Sequence, residues 1–321
     1  VDYLEKMRGK PVFINELVKQ HEVPDETHKT LQKICNEIGI MYLCSTVQAD
    51  LATYLNSIGV PAFKVTSYEM SKYTMIKTMA KTGKPILLST GASTMEEVRE
   101  SVEWIREEGN ENIVLLQCVA KYPAPLEFTN LKVIKTLEST FDVPAGLSDH
   151  SQDPYFAPFT AVALGAKVIE KHFTLDRNQE GPDHTFAIEP DELENMVVGI
   201  REIEKGNNEE EKLLIAKKQL QLFTGKEEAE IQKTIEIMMG SDKKFVTDIE
   251  KELRDFTHQC IFATKDIIAG ENLTEENIDI FRPGKKEQGI EAKNWPKVLG
   301  SKAAQDIKAN ESVQWTDISA K

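Results

Sequence analysis

Residues 143–173 read VPAGLSDHSQDPYFAPFTAVALGAKVIEKHF. A short apolar run, Val143–Leu147, is followed by a turn rich in Ser, Asp and Pro. A helical pattern then covers Ala157–Leu164, and a second apolar run follows over Lys167–Phe173. Apolar runs of this length without alternation predict strands buried on both faces, as in a parallel sheet. Strand, crossover helix and strand make one βαβ unit. A histidine stands near the C-terminal end of each strand, in Ser148-Asp149-His150 and in Glu170-Lys171-His172.

Working outward, similar runs occur at Ile40–Cys44, Ala62–Thr66, Pro85–Leu88 and Ile113–Cys118. Helical patterns lie between and beyond them. Over Thr94–Glu107, Thr94 and Glu97 form a capping box, and Val98, Val102 and Ile105 mark one face. Pro190–Glu204 is another such pattern. The spacing of strand starts suits an eight-unit β/α barrel of about 250 residues. Only six strands are predicted, however, so an open doubly wound sheet fits the spacing as well.

After Lys205 the character changes. Asn207–Met239, rich in Glu, Lys, Gln and Leu, reads as a helical linker with a solvated charged face. From Gln259 a small β-rich unit follows, with short strands predicted at Cys260–Lys265, Ile278–Phe281 and Val313–Trp315. Two of its segments rhyme: ATKDIIAGENL (263–273) and AAQDIKANESV (303–313). The domains expected are a barrel over 1–205, a linker over 206–258 and the β-rich unit over 259–321.

Composition limits the partners. The 321 residues carry 53 acids against 39 bases, for a net charge of −14. That balance argues against nucleic acid and anionic membranes, which select clustered Lys and Arg. It still permits a local basic pocket for an anionic small molecule. Cys35, Cys44, Cys118 and Cys260 form no C-x-x-C pair, so reduced thiols in a cytoplasmic protein are expected. No apolar run is long enough to span a membrane.

In a parallel barrel the chemistry sits at the C-terminal ends of the strands. The residues there are Ser45-Thr46, Lys64 with Ser67 and Glu69, Ser89-Thr90-Gly91, Lys121-Tyr122, and the two histidine segments. Adjacent strands lie about 5 Å apart, so His150 and His172 can share one metal ion. Asp149 or Glu170 can add a ligand or orient a ring. Nitrogen and oxygen donors with open positions suit Mn²⁺, Fe²⁺ or Zn²⁺ better than Ca²⁺. A strand-end histidine also occurs simply as a hydrogen-bonded cap. Lys64 among short hydroxyls suits a phosphate or carboxylate, although Ser and Thr in such turns also serve as helix caps. Glu69 is a candidate acid or base, or a plain carboxylate.

Three segments resemble the sialic acid synthases: KPILLSTGASTMEEV (84–98), YPAPLEFTNL (122–131), and residues 146–193, from GLSDHSQDPYF through GPDHTFAIEPDEL. The C-terminal unit, with Arg282-Pro283-Gly284, resembles that family's SAF, or antifreeze-like, domain. The resemblance implies a (β/α)8 TIM barrel that condenses phosphoenolpyruvate with N-acetylmannosamine or a related sugar. The products are N-acetylneuraminate, or a related nine-carbon acid, and phosphate. By the same resemblance His150 and His172 hold a Mn²⁺-type ion, with His172 and Glu69 as catalytic residues. Lys64, Thr46, Ser67, Ser89 and Ser148 match positions that grip phosphoenolpyruvate. Tyr122, Asp183 and Arg282 match sugar-binding positions. Arg282 matches an arginine that the SAF domain of one subunit offers to its partner, which implies a domain-swapped homodimer.

The chain also departs from the family. The family's two opening strands find no match, and Val1–Leu31 resembles only the segment after the second. The expectation is a barrel lacking its first two β/α units, as a fragment of a longer protein or a decayed copy. Ala120 and Lys121 stand before the Tyr of the Y-P motif, STVQ (45–48) replaces S-T-P-F, and the loop RPGKKEQGI (282–290) carries extra residues. Tyr68 takes a place that is often Gly in sialic acid synthases, while Gly181-Pro182-Asp183-His184 is similar to the sialic and legionaminic branches. Alternatives therefore stay open. They are a pseudaminic or legionaminic acid synthase, an inactive truncated paralogue serving as a binding or dimerisation module, and a plain aldolase using Lys64 as a Schiff base.

Overall fold

The computed structural model describes residues 23–319. Residues 1–22, most of the segment Val1–Leu31 discussed above, lie outside the described residues. The chain enters through α1 (Asp25–Ile38) and α2 (Ala49–Ser57). It then alternates β1 (Phe63–Val65), α3 (Tyr73–Ala80), β2 (Ile86–Ser89), α4 (Met95–Glu107), β3 (Ile113–Cys118), α5 (Val133–Phe141), β4 (Ala145–Asp149), α6 (Phe156–Ala163), β5 (Ile169–Lys171) and α7 (Pro190–Ile203).

All five strands pair in parallel, in the order β1-β2-β3-β4-β5. That order settles the choice between architectures. A doubly wound sheet reverses its strand order at a switch point, whereas a barrel wall adds each strand beside the last. The sheet is thus part of a TIM-type barrel wall. Helix α4 begins where expected: Thr94 Oγ1 accepts from the Glu97 amide, and Glu97 returns a bond to the Thr94 amide. The core lies between sheet and helices, where Phe63, Val65, Ile86 and Leu88 meet Met75, Met79, Val98 and Ile105.

One predicted strand does not form. Ile40–Cys44 has no ladder, and only Ser45 makes a single parallel bridge, to Lys64. The physical reason is coverage. Ile40, Met41 and Leu43 are 57%, 78% and 38% exposed, so among the described residues the run has no second layer or outer neighbour to hold it.

The stretch after Lys205 also differs from a solvated linker. It forms α8 (Glu209–Thr224) and α9 (Glu228–Met239), with α8 packed across α6 and α7. Ala216, Leu220, Ile231, Ile235 and Met238 are fully buried. Helix α6 is apolar all round and buried along its whole length because α8 covers the face turned away from the sheet.

A short helix, α10 (Lys251–Thr257), leads into the C-terminal unit, built from β6 (Cys260–Ala263), β7 (Ile278–Phe281), α11 (Trp295–Val298), β8 (Lys302–Ala303) and β9 (Ile318–Ser319). The rhyming segments lie across an approximate two-fold axis. Ile267 and Ile307 exchange both backbone hydrogen bonds at 2.9 Å, and Asp266 and Asp306 each accept from an amide of the other copy. Val313–Trp315 is not a strand. The Val313 amide donates to the Ile261 carbonyl and its carbonyl accepts from the Ile290 amide, and then the Gln314–Asp317 capping box turns the chain into a short 3-10 helix.

Candidate active site

Strand alternation decides what faces the barrel interior. Phe63 and Val65 point outward to the helices, so Lys64 between them points inward. Its Nζ donates to the Val65 carbonyl and to Ser89 Oγ, both at 2.9 Å, and lies 3.4 Å from Glu170 Oε2. Ser148 Oγ donates to the other oxygen of Glu170 at 2.7 Å. Glu170 is therefore occupied as the partner of Lys64 and Ser148. Asp149 is likewise taken, by the Ser151 amide at 2.8 Å and by Lys171 Nζ at 2.6 Å. Neither carboxylate is free to ligate beside the histidines.

The two imidazoles come together as the strand positions predict, with centroids 5.3 Å apart. His150 Nδ1 lies 2.8 Å from the Val119 carbonyl, the arrangement in which Nδ1 carries the proton and leaves Nε2 as the donor atom. The ring lies against Tyr122, 4.2 Å between centroids and tilted by 31°. His172 Nδ1 lies 3.5 Å from Asp183 Oδ2. Burial, followed by the nearby His150 charge, pushes His172 down and keeps it neutral. Cys118 Sγ sits 3.8 Å from His150 Nδ1. Burial disfavours charge on both, but each charge favours the other, so the thiol moves down and His150 is pushed up to about 9. A divalent cation on His150 would displace that proton.

Two nitrogen donors with open positions between them fit a Mn²⁺-type ion. Among the described residues no group of three or more His, Cys, Asp or Glu is placed to share one ion. Among the described residues, His150 and His172 are therefore the side chains that could hold such an ion.

Both constellations open onto one cleft of about 440 Å³, lined by Ser45, Lys64, Ser67, Ser89, Tyr122, Ser148, both histidines and Arg282 among others. Thr46 is buried beside it, with its hydroxyl donated to the Gln48 carbonyl. Ser67 Oγ accepts from the Gly91 amide at 2.8 Å. Thr90 serves the sheet, donating to the Leu116 carbonyl.

Glu69 is 1% exposed and pairs with Arg282 and with Gln259, both from the C-terminal unit of the same chain. The Arg282 guanidinium also lies over the Tyr68 ring, 5.0 Å from its centroid. Tyr68 donates to the Tyr122 hydroxyl at 3.2 Å, and burial pushes both phenols up, so both stay protonated. Within the single chain Arg282 reaches Glu69 in cis. Sequence reasoning missed Gln259 and the roles of Cys118 and Lys171. Cys118 and Lys171 sit at strand ends and were open to the same rule. Gln259 gave no local signal.

A β/α-barrel wall with a lysine, hydroxyls and paired imidazoles at its strand ends has the chemistry to take up an anionic small molecule. Residues 2–212 match the NeuB family and residues 258–319 match the SAF domain, and the chain belongs to the NeuB family. It is 39% identical to the spore coat polysaccharide biosynthesis protein SpsE of Bacillus subtilis, over 97% of this chain and 79% of that one. The crystal structure of that protein superposes with a TM-score of 0.80, covering 97% of this chain and 82% of the other. Two proteins of Campylobacter jejuni are also similar. A pseudaminic acid synthase is 33% identical over 94% of this chain and 77% of its own length. An N,N'-diacetyllegionaminic acid synthase is 32% identical over 93% and 79%.

Proposed function

We propose that this protein condenses phosphoenolpyruvate with a 2-acetamido sugar of the N-acetylmannosamine type, releasing phosphate and a nine-carbon 3-deoxy sugar acid. Pseudaminic and legionaminic acid precursors belong to the same substrate class. The observation that carries the reading is that Lys64 with its hydroxyls and the paired histidines face one cleft.

In this mechanism Lys64, Ser67, Ser89 and Ser148 hold the phosphate and carboxylate of phosphoenolpyruvate. Its C3 forms a bond to the sugar aldehyde carbon, water adds at C2, and the resulting tetrahedral centre expels phosphate. Glu69, released from Arg282 when the sugar enters, moves protons between the water and the new hydroxyl. Tyr122, Asp183 and Arg282 orient the sugar. A Mn²⁺-type ion held by His150 and His172 would supply Lewis-acid polarisation of the aldehyde. The reading includes a domain-swapped homodimer, in which Arg282 meets Glu69 of the partner chain as it meets its own here. It also includes a cytoplasmic location, consistent with four free cysteines. No helix among the described residues is long and apolar enough to cross a membrane.

A second reading is a binding or dimerisation module without turnover. The apolar residues exposed along both sheet edges favour it: Ile40 and Met41 beside β1, Phe173 and Leu175 after β5. One assay separates the two. The protein is incubated with Mn²⁺, phosphoenolpyruvate and a panel of 2-acetamido sugars, and released phosphate is measured. Release that depends on sugar and is lost in His172→Ala supports the synthase; no release with any sugar rejects it.

A further inference from the structure

Glu250 lies outside the cleft, in the turn between α9 and α10 that leads into the SAF domain, and is 1% exposed. Its carboxylate accepts four hydrogen bonds. Oε1 takes the backbone amides of Ala92 and Ala120, each at 2.8 Å. Oε2 takes the amide and hydroxyl of Thr247, at 2.9 and 2.8 Å. Ala92 follows β2, in the loop after Ser89. Ala120 follows β3.

The Ala120 bond has a geometric consequence. The amide N–H of Ala120 and the carbonyl of Val119 belong to one peptide unit. A trans peptide is planar, with N–H and C=O directed oppositely, so fixing one fixes the other. The Val119 carbonyl faces His150 Nδ1 at 2.8 Å. A carboxylate on the N–H side also polarises the peptide and strengthens its carbonyl as an acceptor. A buried carboxylate is costly unless it is satisfied in this way. An apolar residue would fill the same space without reaching either loop.

We propose that Glu250 is a positioning residue for the histidine pair. Through the Val119–Ala120 peptide it sets the carbonyl that orients His150, and through Ala92 it holds the neighbouring loop in register. The inference rests on the reading of His150 as a metal ligand. It also makes the entry to the SAF domain part of the support of the metal site, through a bond to Ala120, 130 residues away in sequence.

The test compares Glu250→Ala, Glu250→Gln and Thr247→Ala in the whole chain. Mn²⁺ affinity is measured by calorimetry, and amide hydrogen exchange is followed in peptides spanning the loops after β2 and β3. Glu250→Ala is expected to weaken Mn²⁺ binding about 10-fold and to speed exchange in those two loops alone. Glu250→Gln keeps an oxygen for both amides and recovers most of the loss. Thr247→Ala leaves those amides bonded and binds as the wild type does. Should Glu250→Ala fail to fold, Glu250→Asp, one methylene short of the two amides, carries the same expectation. Wild-type Mn²⁺ affinity in the Ala or Asp variant, or exchange raised evenly along the chain, overturns the proposal. If the wild-type protein binds no Mn²⁺ while the exchange result holds, the metal reading falls and Glu250 stands as the anchor of the two loops.

Discussion

Replacing Lys171 with Met isolates the contact that ties the two histidine-bearing strand ends together. Lys171 Nζ lies 2.6 Å from Asp149 Oδ2, with side chains only 3% and 1% exposed. It also donates to the Ser151 carbonyl at 2.7 Å. At that separation and an effective dielectric of about 20, the attraction is about 6 kcal/mol, before the cost of removing both charges from water. Deleting one partner leaves the other charge buried and uncompensated, which costs about 3–5 kcal/mol. Asp149 keeps two bonds from Ser151, at 2.8 and 3.0 Å, so the lower end, about 3 kcal/mol, is expected for Lys171→Met. Adding Asp149→Asn removes the stranded charge yet keeps an oxygen for the Ser151 amide. The double variant is therefore expected to recover to within about 1 kcal/mol of the wild type. Equilibrium urea unfolding of the four proteins of the cycle, followed by circular dichroism, measures both quantities. A Lys171→Met loss below about 1 kcal/mol, or a double variant no more stable than the single, would refute the reasoning.

Three further outcomes are expected. At Gly146 in β4 an added Cβ would lie 2.3 Å from the Val168 carbonyl oxygen and 2.9 Å from Leu116 Cδ2, so Gly146→Ala forces β4 from the chain entering β5. It should cost about 1–3 kcal/mol in thermal or urea unfolding and lower Mn²⁺ affinity, because β4 leads directly into His150. Mixing inactive Glu69→Gln with inactive Arg282→Ala should restore phosphate release if the SAF domains are exchanged between chains, since one hybrid site then has both native residues; pairing in cis leaves every mixture inactive. Burial raises the Glu97 carboxyl, but Arg254, the Thr94 amide and His258 outweigh it and hold it below its usual 4.5. A depressed carboxyl contributes stability that is present above about pH 4.5 and lost as pH falls through the folded value. Arg254→Gln should therefore lower the melting temperature at neutral pH, with the difference shrinking as pH falls below about 4.5.

Part of the site was legible because strand ends are local features. Val143–Leu147 and Lys167–Phe173 each carry a histidine near the end, and the register of β4 with β5 brings those ends together, pairing Asp149 with Lys171. Lys64 was legible as a cation among hydroxyls, but its carboxylate partner was not. Glu170 stood as a possible metal ligand, because nothing near it in sequence reveals that the β1 lysine reaches across the barrel interior.

The sequence by itself determined the alternation of strand and helix, the Thr94–Glu97 start of α4, the repeat in the SAF domain and the pair of strand-end histidines. All of these follow from periodicity and capping within a few residues. Only the tertiary structure decided that the strands run in sequential order, that Ile40–Cys44 stays outside the sheet, and that α8 covers α6. It also decided that Glu69 meets residues 190 and 213 positions away. Those outcomes depend on which surfaces remain to be covered once the chain has closed on itself, and burial of that kind leaves no local pattern.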